Sequence, residues 1–250
     1  MRIVAPGDGP RVVSLVPSLT EAIAVTAPGV LVGATDWCTH PADLGPGVVR
    51  VRGTKNPDVP AILALRPDLV VANEEENREP DLAALRAAGV DVLVTEVRTL
   101  EQAFTELERV LRACGADPRP HWLAVARTAW ADLPAAAAPR RAVVPVWRKP
   151  WMVLGRDTFA GDLLRRLGVE NVYAGHPDRY PRVPLDELRA HAPEMVVLPD
   201  EPYRFTAQDG PEAFPGTPCA LVDGRMLTWY GPSLAEAPTL LAGALRAAHR

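Results

Sequence analysis

The chain has 250 residues, of which 48% are apolar and 23% charged, with a net charge of −4. These values suit a soluble globular protein of one or two domains and argue against a nucleic-acid partner, since no basic run is present. No apolar run reaches the 18 or so residues that a membrane-spanning helix needs.

In chain order, Arg11–Pro17 is a β-branched apolar run ended by Pro and reads as a buried strand. Ser18 or Thr20 is the expected cap of the helix that follows. Val30–Thr35 is a second strand and leaves into the loop Asp36-Trp37-Cys38-Thr39-His40-Pro41. Val48–Arg52 is extended, and Gly53-Thr54-Lys55-Asn56-Pro57 has turn chemistry. Asp58–Leu65 reads as a helix, Asp68–Ala72 as a strand, and Asn73-Glu74-Glu75-Glu76-Asn77 leaves the carboxyl end of that strand. A helix over Pro80–Ala88, a strand over Val90–Thr95 and a helix over Leu100–Cys114 complete the first half. This alternation predicts a parallel sheet covered by helices.

Arg119–Leu133 carries Trp122, Val125, Ala126, Ala129, Trp130 and Leu133 on one helical stripe, with prolines at both ends. It reads as the single covalent bridge between two α/β lobes, followed by a short linker at Ala135–Ala138. Beyond it, Ala142–Trp147 is a strand and Trp151–Leu154 its hairpin partner or continuation. Phe159–Leu167 and Leu185–His191 are helices and Met195–Pro199 a strand. Cys219–Val222 and Met226–Thr228 read as strands around the turn Asp223-Gly224, and Ser233 as the cap of a closing helix through Ala248. The expected domains are 1–117, the bridge and linker 118–139, and 140–250.

In parallel α/β sheets, ligands collect outside the carboxyl ends of the strands. Trp37, Trp147, Trp151, Trp229 and Tyr230 lie in such loops or at strand ends, where rings supply contact area at low entropy cost. Lys55, Asn56, Asn73, Glu75 and Asn77 are the expected polar contacts; Lys55 is able to pair with the acidic run Glu74–Glu76. That run also has a plain reading as a solvated helix start favoured by the macrodipole. His40 is a further candidate contact. With Asp36, Cys38 and Glu75 it offers N, S and O donors of the kind zinc or iron accepts, although no HxxxH or CxxC spacing supports a metal site. The motifs GxSxG, GxGxxG and GxxxxGK[ST] are absent, which leaves nucleophilic, dinucleotide and P-loop readings without support. The first residues lack a signal-peptide pattern, and Cys38, Cys114 and Cys219 are odd in number and far apart; together these predict a cytoplasmic protein with free thiols.

Val13-Ser14-Leu15-Val16-Pro17-Ser18-Leu19-Thr20-Glu21, Leu31–Asp36, Ile62–Val71 and Ala87-Ala88-Gly89-Val90 resemble the vitamin B12-binding proteins of bacterial ABC importers. These belong to the helical-backbone (TroA-like, class III) solute-binding proteins. The resemblance covers most of the chain. It implies two Rossmann-like lobes with parallel-rich sheets, joined by a single backbone helix, with a ligand cleft between the lobes and little closure on binding. It implies no catalysis and a monomer holding a corrinoid such as cobalamin, a haem or another metal chelate. One alternative is that this chain is itself the secreted substrate-binding subunit of an ABC importer for siderophore, haem or metal; importer-type members of the family dock on the permease through one exposed glutamate per lobe. Here the first position is Glu79 and the second is Arg165, so the docking pair is incomplete. A metal-dependent enzyme using His40, Cys38 and Glu75 is the alternative of a different class.

Overall fold

The computed structural model describes residues 9–134 and 138–248. The expected linker at Ala135–Ala138 falls mostly outside them. By compactness the chain divides into two units. Residues up to Val97, Glu101–Ala124 and Tyr230–Pro232 form the first; Arg98–Leu100, Val125–Trp229 and the chain from Ser233 form the second.

The first unit contains β1 (Val12–Ser14), α1 (Pro17–Thr26), β2 (Leu31–Ala34), β3 (Val49–Arg50), β4 (Arg52–Gly53), β5 (Asn56–Pro57), α2 (Val59–Ala64), β6 (Leu69–Asn73), α3 (Glu79–Ala87), β7 (Asp91–Thr95) and most of α4 (Leu100–Ala113). Five strands form one parallel sheet in the order β3-β2-β1-β6-β7. The central strands β1 and β6 are fully buried, as continuous β-branched runs require when helices cover both faces. Val13, Leu15, Ile62, Val70, Leu82 and Leu85 pack together at their core. β4 and β5 form a small antiparallel hairpin after β3, with Thr54 and Lys55 at its turn.

The helix α5 (His121–Ala131) crosses the division between Ala124 and Val125. Leu123, Ala126 and Trp130 are its buried residues, while Val125 is 39% exposed, so the buried stripe is rotated from the expected one. The Trp122 indole donates to Thr26 Oγ1 at 3.0 Å, and the Trp130 indole to the Leu234 carbonyl at 3.0 Å. These polar anchors decide which face turns inward.

The second unit contains β8 (Arg140–Val143), β9 (Pro145–Trp147), β10 (Met152–Val153), α6 (Phe159–Arg166), β11 (Val169–Asn171), α7 (Leu185–Ala190), β12 (Met195–Pro199), β13 (Cys219–Val222), α8 (Gly224–Thr228) and α9 (Ala237–Arg246). Its four-stranded sheet is parallel, in the order β11-β8-β12-β13, and β9 pairs with β10 in an antiparallel hairpin. Val143, Val196, Leu198, Leu188, Phe205 and Phe214 lie in its core.

Several local expectations give way. Met226–Thr228 is helical rather than a strand: Asp223 accepts from Met226 N at 3.2 Å, so the Asp-Gly pair starts a helix instead of a hairpin. The run Ala142–Trp147 splits at Val144 into β8 and β9, which belong to different sheets. Neither Ser18 nor Thr20 caps α1. The cap residue is Val16, Pro17 opens the helix, and Thr20 Oγ1 bonds back to the Val16 carbonyl at 2.9 Å. Ser233 sits in a 3₁₀ turn, Pro232–Ala235, and α9 begins after Glu236.

Candidate functional site

In the first unit the loop after β2 presents Trp37, whose side chain is 66% exposed. The backbone beneath it is fixed. Asp36 N donates to the Arg52 carbonyl at 2.9 Å and Cys38 N to Thr35 O at 3.1 Å. One nitrogen of the Arg50 guanidinium donates to both Thr35 O and Cys38 O, at 2.7 and 2.9 Å. The Cys38 thiol is fully buried, 3.0 Å from Thr20 Oγ1 and 3.2 Å from Thr35 Oγ1. Burial pushes that thiol up, against the opposing pull of the two hydroxyls and Arg50. Cys38 is therefore an anchor, held as a neutral thiol.

His40 is exposed, with Nδ1 3.2 Å from Thr39 Oγ1. Among the described residues no group of three or more His, Cys, Asp or Glu is placed to hold a metal. The metal-dependent reading of His40, Cys38 and Glu75 thus has no donor cluster behind it.

The β4–β5 hairpin lies beside Trp37. A side chain at Gly53 would run into the Asn56 amide and come within 3.4 Å of the Trp37 indole nitrogen. Asn56 is exposed at this point, and Lys55 Nζ donates to the Glu75 carbonyl. Asn73 and Asn77, by contrast, are only 3% and 5% exposed. Asn73 Nδ2 donates to Thr95 O and Oγ1, at 3.0 and 3.1 Å, and its Oδ1 accepts from Glu75 N at 2.9 Å. Asn77 Oδ1 accepts from Asn73 N at 2.9 Å, and its Nδ2 donates to Thr54 O at 3.0 Å and Leu15 O at 3.3 Å. These amides are spent on shaping the loop that displays Glu74, Glu75 and Glu76. Both were expected as ligand contacts; in the structure their amides bond to neighbouring backbone and to Thr95.

Tyr230 belongs to the first unit and is 6% exposed. Burial first, and then the charges of Glu76 and Glu75, push its phenol well above the ordinary range, with the Thr95 and Ser18 hydroxyls opposing. A Cβ on the neighbouring Gly231 would meet Ser18 O at 3.0 Å, so this strap lies tight on α1. Trp229, in the second unit, is 8% exposed; its indole donates to Glu201 Oε2 at 3.2 Å under the Arg225 guanidinium. Tyr230 and Trp229, expected as ring contacts, are both buried.

The second unit presents Trp147 at the end of β9, 41% exposed. Tyr203 stands edge-on to it, with ring centres 5.6 Å apart at 78°. Trp151 is half-buried, stacked on Phe205 at 6.0 Å. Arg148 lies 5.2 Å over the Trp151 ring and is ion-paired to Asp209 and to Glu212, the latter at 2.5 Å. Tyr203 OH donates to Asp209 Oδ2 at 2.6 Å. Burial raises the Glu212 carboxyl, but Gly210 N–H and Arg148 outweigh it and the net value falls below normal. Tyr203, Asp209 and Glu212 were not picked out from sequence, because they lie in an irregular stretch without periodicity. The aromatic pair Tyr203 and Phe205 after a strand end was the available signal.

A separate cavity of about 260 Å³ in this unit is lined by Arg98, Arg156, Asp157, Asp162 and Arg165, among others. Two of its arginines are paired locally: Arg156 with Asp157 at 3.5 Å and Arg165 with Asp162 at 2.7 Å. Glu79 is the first residue of α3, 70% exposed in its side chain and 2.6 Å from Arg86. The Arg165 side chain is also 70% exposed.

No model of a known protein family matches the chain. The vitamin B12-binding protein of Salmonella typhi is 27% identical over 195 residues, covering 76% of this chain and 72% of the relative. Among solved structures, the periplasmic vitamin B12-binding protein of Vibrio cholerae superposes with a TM-score of 0.74 at 21% identity, covering 95% of this chain and 97% of that one. The periplasmic haem-binding protein of Roseiflexus sp. RS-1 superposes with a TM-score of 0.76 at 22% identity, covering 94% and 97%. These periplasmic relatives overturn the cytoplasmic expectation. The thiols never supported it well: Cys38 and Cys114 are buried, so they stay unpaired without a reducing compartment. Among the described residues no helix is long and apolar enough to cross a membrane.

Proposed function

We propose that the chain, which is similar in sequence to vitamin B12-binding proteins and in fold to periplasmic ones, is a helical-backbone (TroA-like, class III) solute-binding protein that holds, without catalysis, a cobalamin-like corrinoid or another metal-chelate cofactor. The observation that carries this reading is Trp37: an indole 66% exposed, on a loop whose backbone is tied down from three sides. A large ring held out to solvent on a tied-down loop offers contact area at low entropy cost. Trp147 and Trp151 are the ring contacts of the second unit, and Lys55, Asn56 and Glu75 the polar ones of the first. Asn73 and Asn77 serve the site by setting the acidic loop.

A corrin is a broad apolar ring with a rim of amides that both donate and accept, and exposed indoles with nearby carboxylates and an amide suit it. Haem or another tetrapyrrole ranks second, and a small cationic or metal-bound ligand third. The domain limits are proposed as 1–117, 118–139 and 140–250. An ABC permease is the proposed partner, meeting the face that carries Glu79, while Arg165 supplies no second carboxylate.

The test is a binding screen by calorimetry and tryptophan quenching against cobalamin, cobinamide, haem and ferric siderophores. We expect a tetrapyrrole to bind with the highest affinity. Failure of every tetrapyrrole at about 100 μM, beside tight binding of a siderophore or a free metal ion, overturns the reading and leaves only the fold.

A further inference from the structure

Two cations of the proposed site, Arg148 and Lys55, are already committed. Arg148, which follows the exposed Trp147 in the chain, is 19% exposed in its side chain and meets two carboxylates, Asp209 and Glu212. It also covers the Trp151 ring at 5.2 Å. Asp209 in turn receives the Tyr203 hydroxyl at 2.6 Å, and Tyr203 braces Trp147 edge-on. The series Arg148, Asp209, Tyr203, Trp147 thus runs from an inward charge to an outward ring. Two carboxylates against one guanidinium leave this network no net positive charge. In the first unit, Lys55 Nζ donates to the Glu75 carbonyl within the loop that carries Glu74, Glu75 and Glu76. Lys149 is exposed on the hairpin turn, a lone ammonium without the fork geometry that binds carboxylates in pairs.

Resting on the binding reading above, we propose that the site selects a ring ligand whose rim is uncharged and discriminates against polyanionic chelates. Arg148 and Asp209 act as positioning residues, and Tyr203 is a contact residue of the same aromatic face. A carboxylate rim arriving here finds Arg148 neutralised and Asp209 and Glu212 in its way; an amide or ester rim meets no such repulsion.

The experiment compares two ligands that differ only at the rim, haem and its dimethyl ester, with dicyanocobinamide as the amide-rimmed reference. Affinities come from tryptophan quenching at low salt. We expect the wild-type protein to bind the diester at least about tenfold more tightly than the diacid. The double variant Asp209→Asn with Glu212→Gln releases the Arg148 charge and should move the ratio toward the diacid by about tenfold. The wild-type comparison needs no variant, so it decides even where the double variant does not fold. A diacid bound as tightly as the diester overturns the proposal and leaves the binding reading intact. Loss of diacid binding in Lys149→Gln does the same, by assigning the recognition to that lysine. Binding of none of the three rings removes the reading and the proposal together.

Discussion

The two units each hold one indole out to solvent, and they hold it differently. Under Trp37 the mount is made of backbone carbonyls, a buried neutral thiol and two threonine hydroxyls, with one guanidinium donating to the carbonyls. Under Trp147 it is a partly exposed ion network, with side-chain exposures of 19% for Arg148, 41% for Asp209 and 49% for Glu212. Neutral buried contacts respond little to salt or moderate pH change, whereas exposed ion pairs respond to both. The first mount is thus rigid by construction, and the second is adjustable.

The sharpest way to break this contrast is to label the cysteines. Burial raises Cys38 and removes it from solvent, so alkylation at pH 8 should be slower than in the unfolded chain by about a thousandfold or more, requiring local opening. Cys219 is only half-buried and should react sooner, though burial pushes it up to about 11. Fast labelling of Cys38 in the native protein, followed by mass spectrometry, would show that the Trp37 loop is not locked. The same burial fixes the sign of the alkaline limb. Cys114 is pushed from 9.0 up to about 12, so stability is whole below pH 9 and falls as pH climbs toward 12, because the unfolded chain releases that proton first. Thermal melts between pH 8 and 11 that hold constant contradict it.

Next in size is the effect of the rings themselves. Trp37→Ala should weaken binding of the proposed ring ligand by roughly 1–3 kcal/mol with little change in melting temperature, since most of the indole is already in water. Trp147→Ala should cost less, about threefold to tenfold in affinity, because Tyr203 supports one side of its ring and part of that contact is internal. Equal losses at the two positions, measured by calorimetry, would remove the distinction between them.

Sequence pattern was enough for much of this architecture, and the reason is periodicity. Buried parallel strands such as Leu69–Asn73 and Met195–Pro199 are unbroken apolar runs, and the amphipathic stripes of α4 and α6 are regular. Trp37 and Trp147 were legible as aromatic residues at strand ends. What pattern does not carry is where a polar side chain points. Asn73 and Asn77 look the same in sequence whether they greet a ligand or close a loop, and only the three-dimensional positions of Thr95, Thr54 and Leu15 settle it. Trp229 and Tyr230 are in the same position: burial depends on elements far away in sequence, Glu201 for one and Ser18 and Thr95 for the other. Arg148 shows the same limit: its two carboxylate partners lie more than 60 residues on and leave no local signature.

The smallest effect separates the mounts most directly. In the Arg148 network each exposed pair contributes up to about 1 kcal/mol, and added salt screens it. Raising ionic strength from about 0.05 to 1 M should therefore loosen Trp147 and Tyr203 while leaving Trp37 as it was. Acid acts in the same direction. Glu212 sits below its ordinary 4.5 in the folded chain, so the stability it lends is present above pH 4.5 and is lost as pH falls through the folded value. The neutral Cys38 anchor has no charge to lose in that window, and its thiol is protonated throughout. Single-tryptophan reporters, with the other five indoles replaced by Phe, allow each mount to be followed by acrylamide quenching. The Trp147 reporter should gain accessibility on moving to 1 M salt or as acid takes the pH below the folded value of Glu212, and the Trp37 reporter should not. A Trp37 reporter that opens in step with Trp147 would mean that the two mounts share one electrostatic support, and the contrast drawn from their hydrogen bonds would be lost.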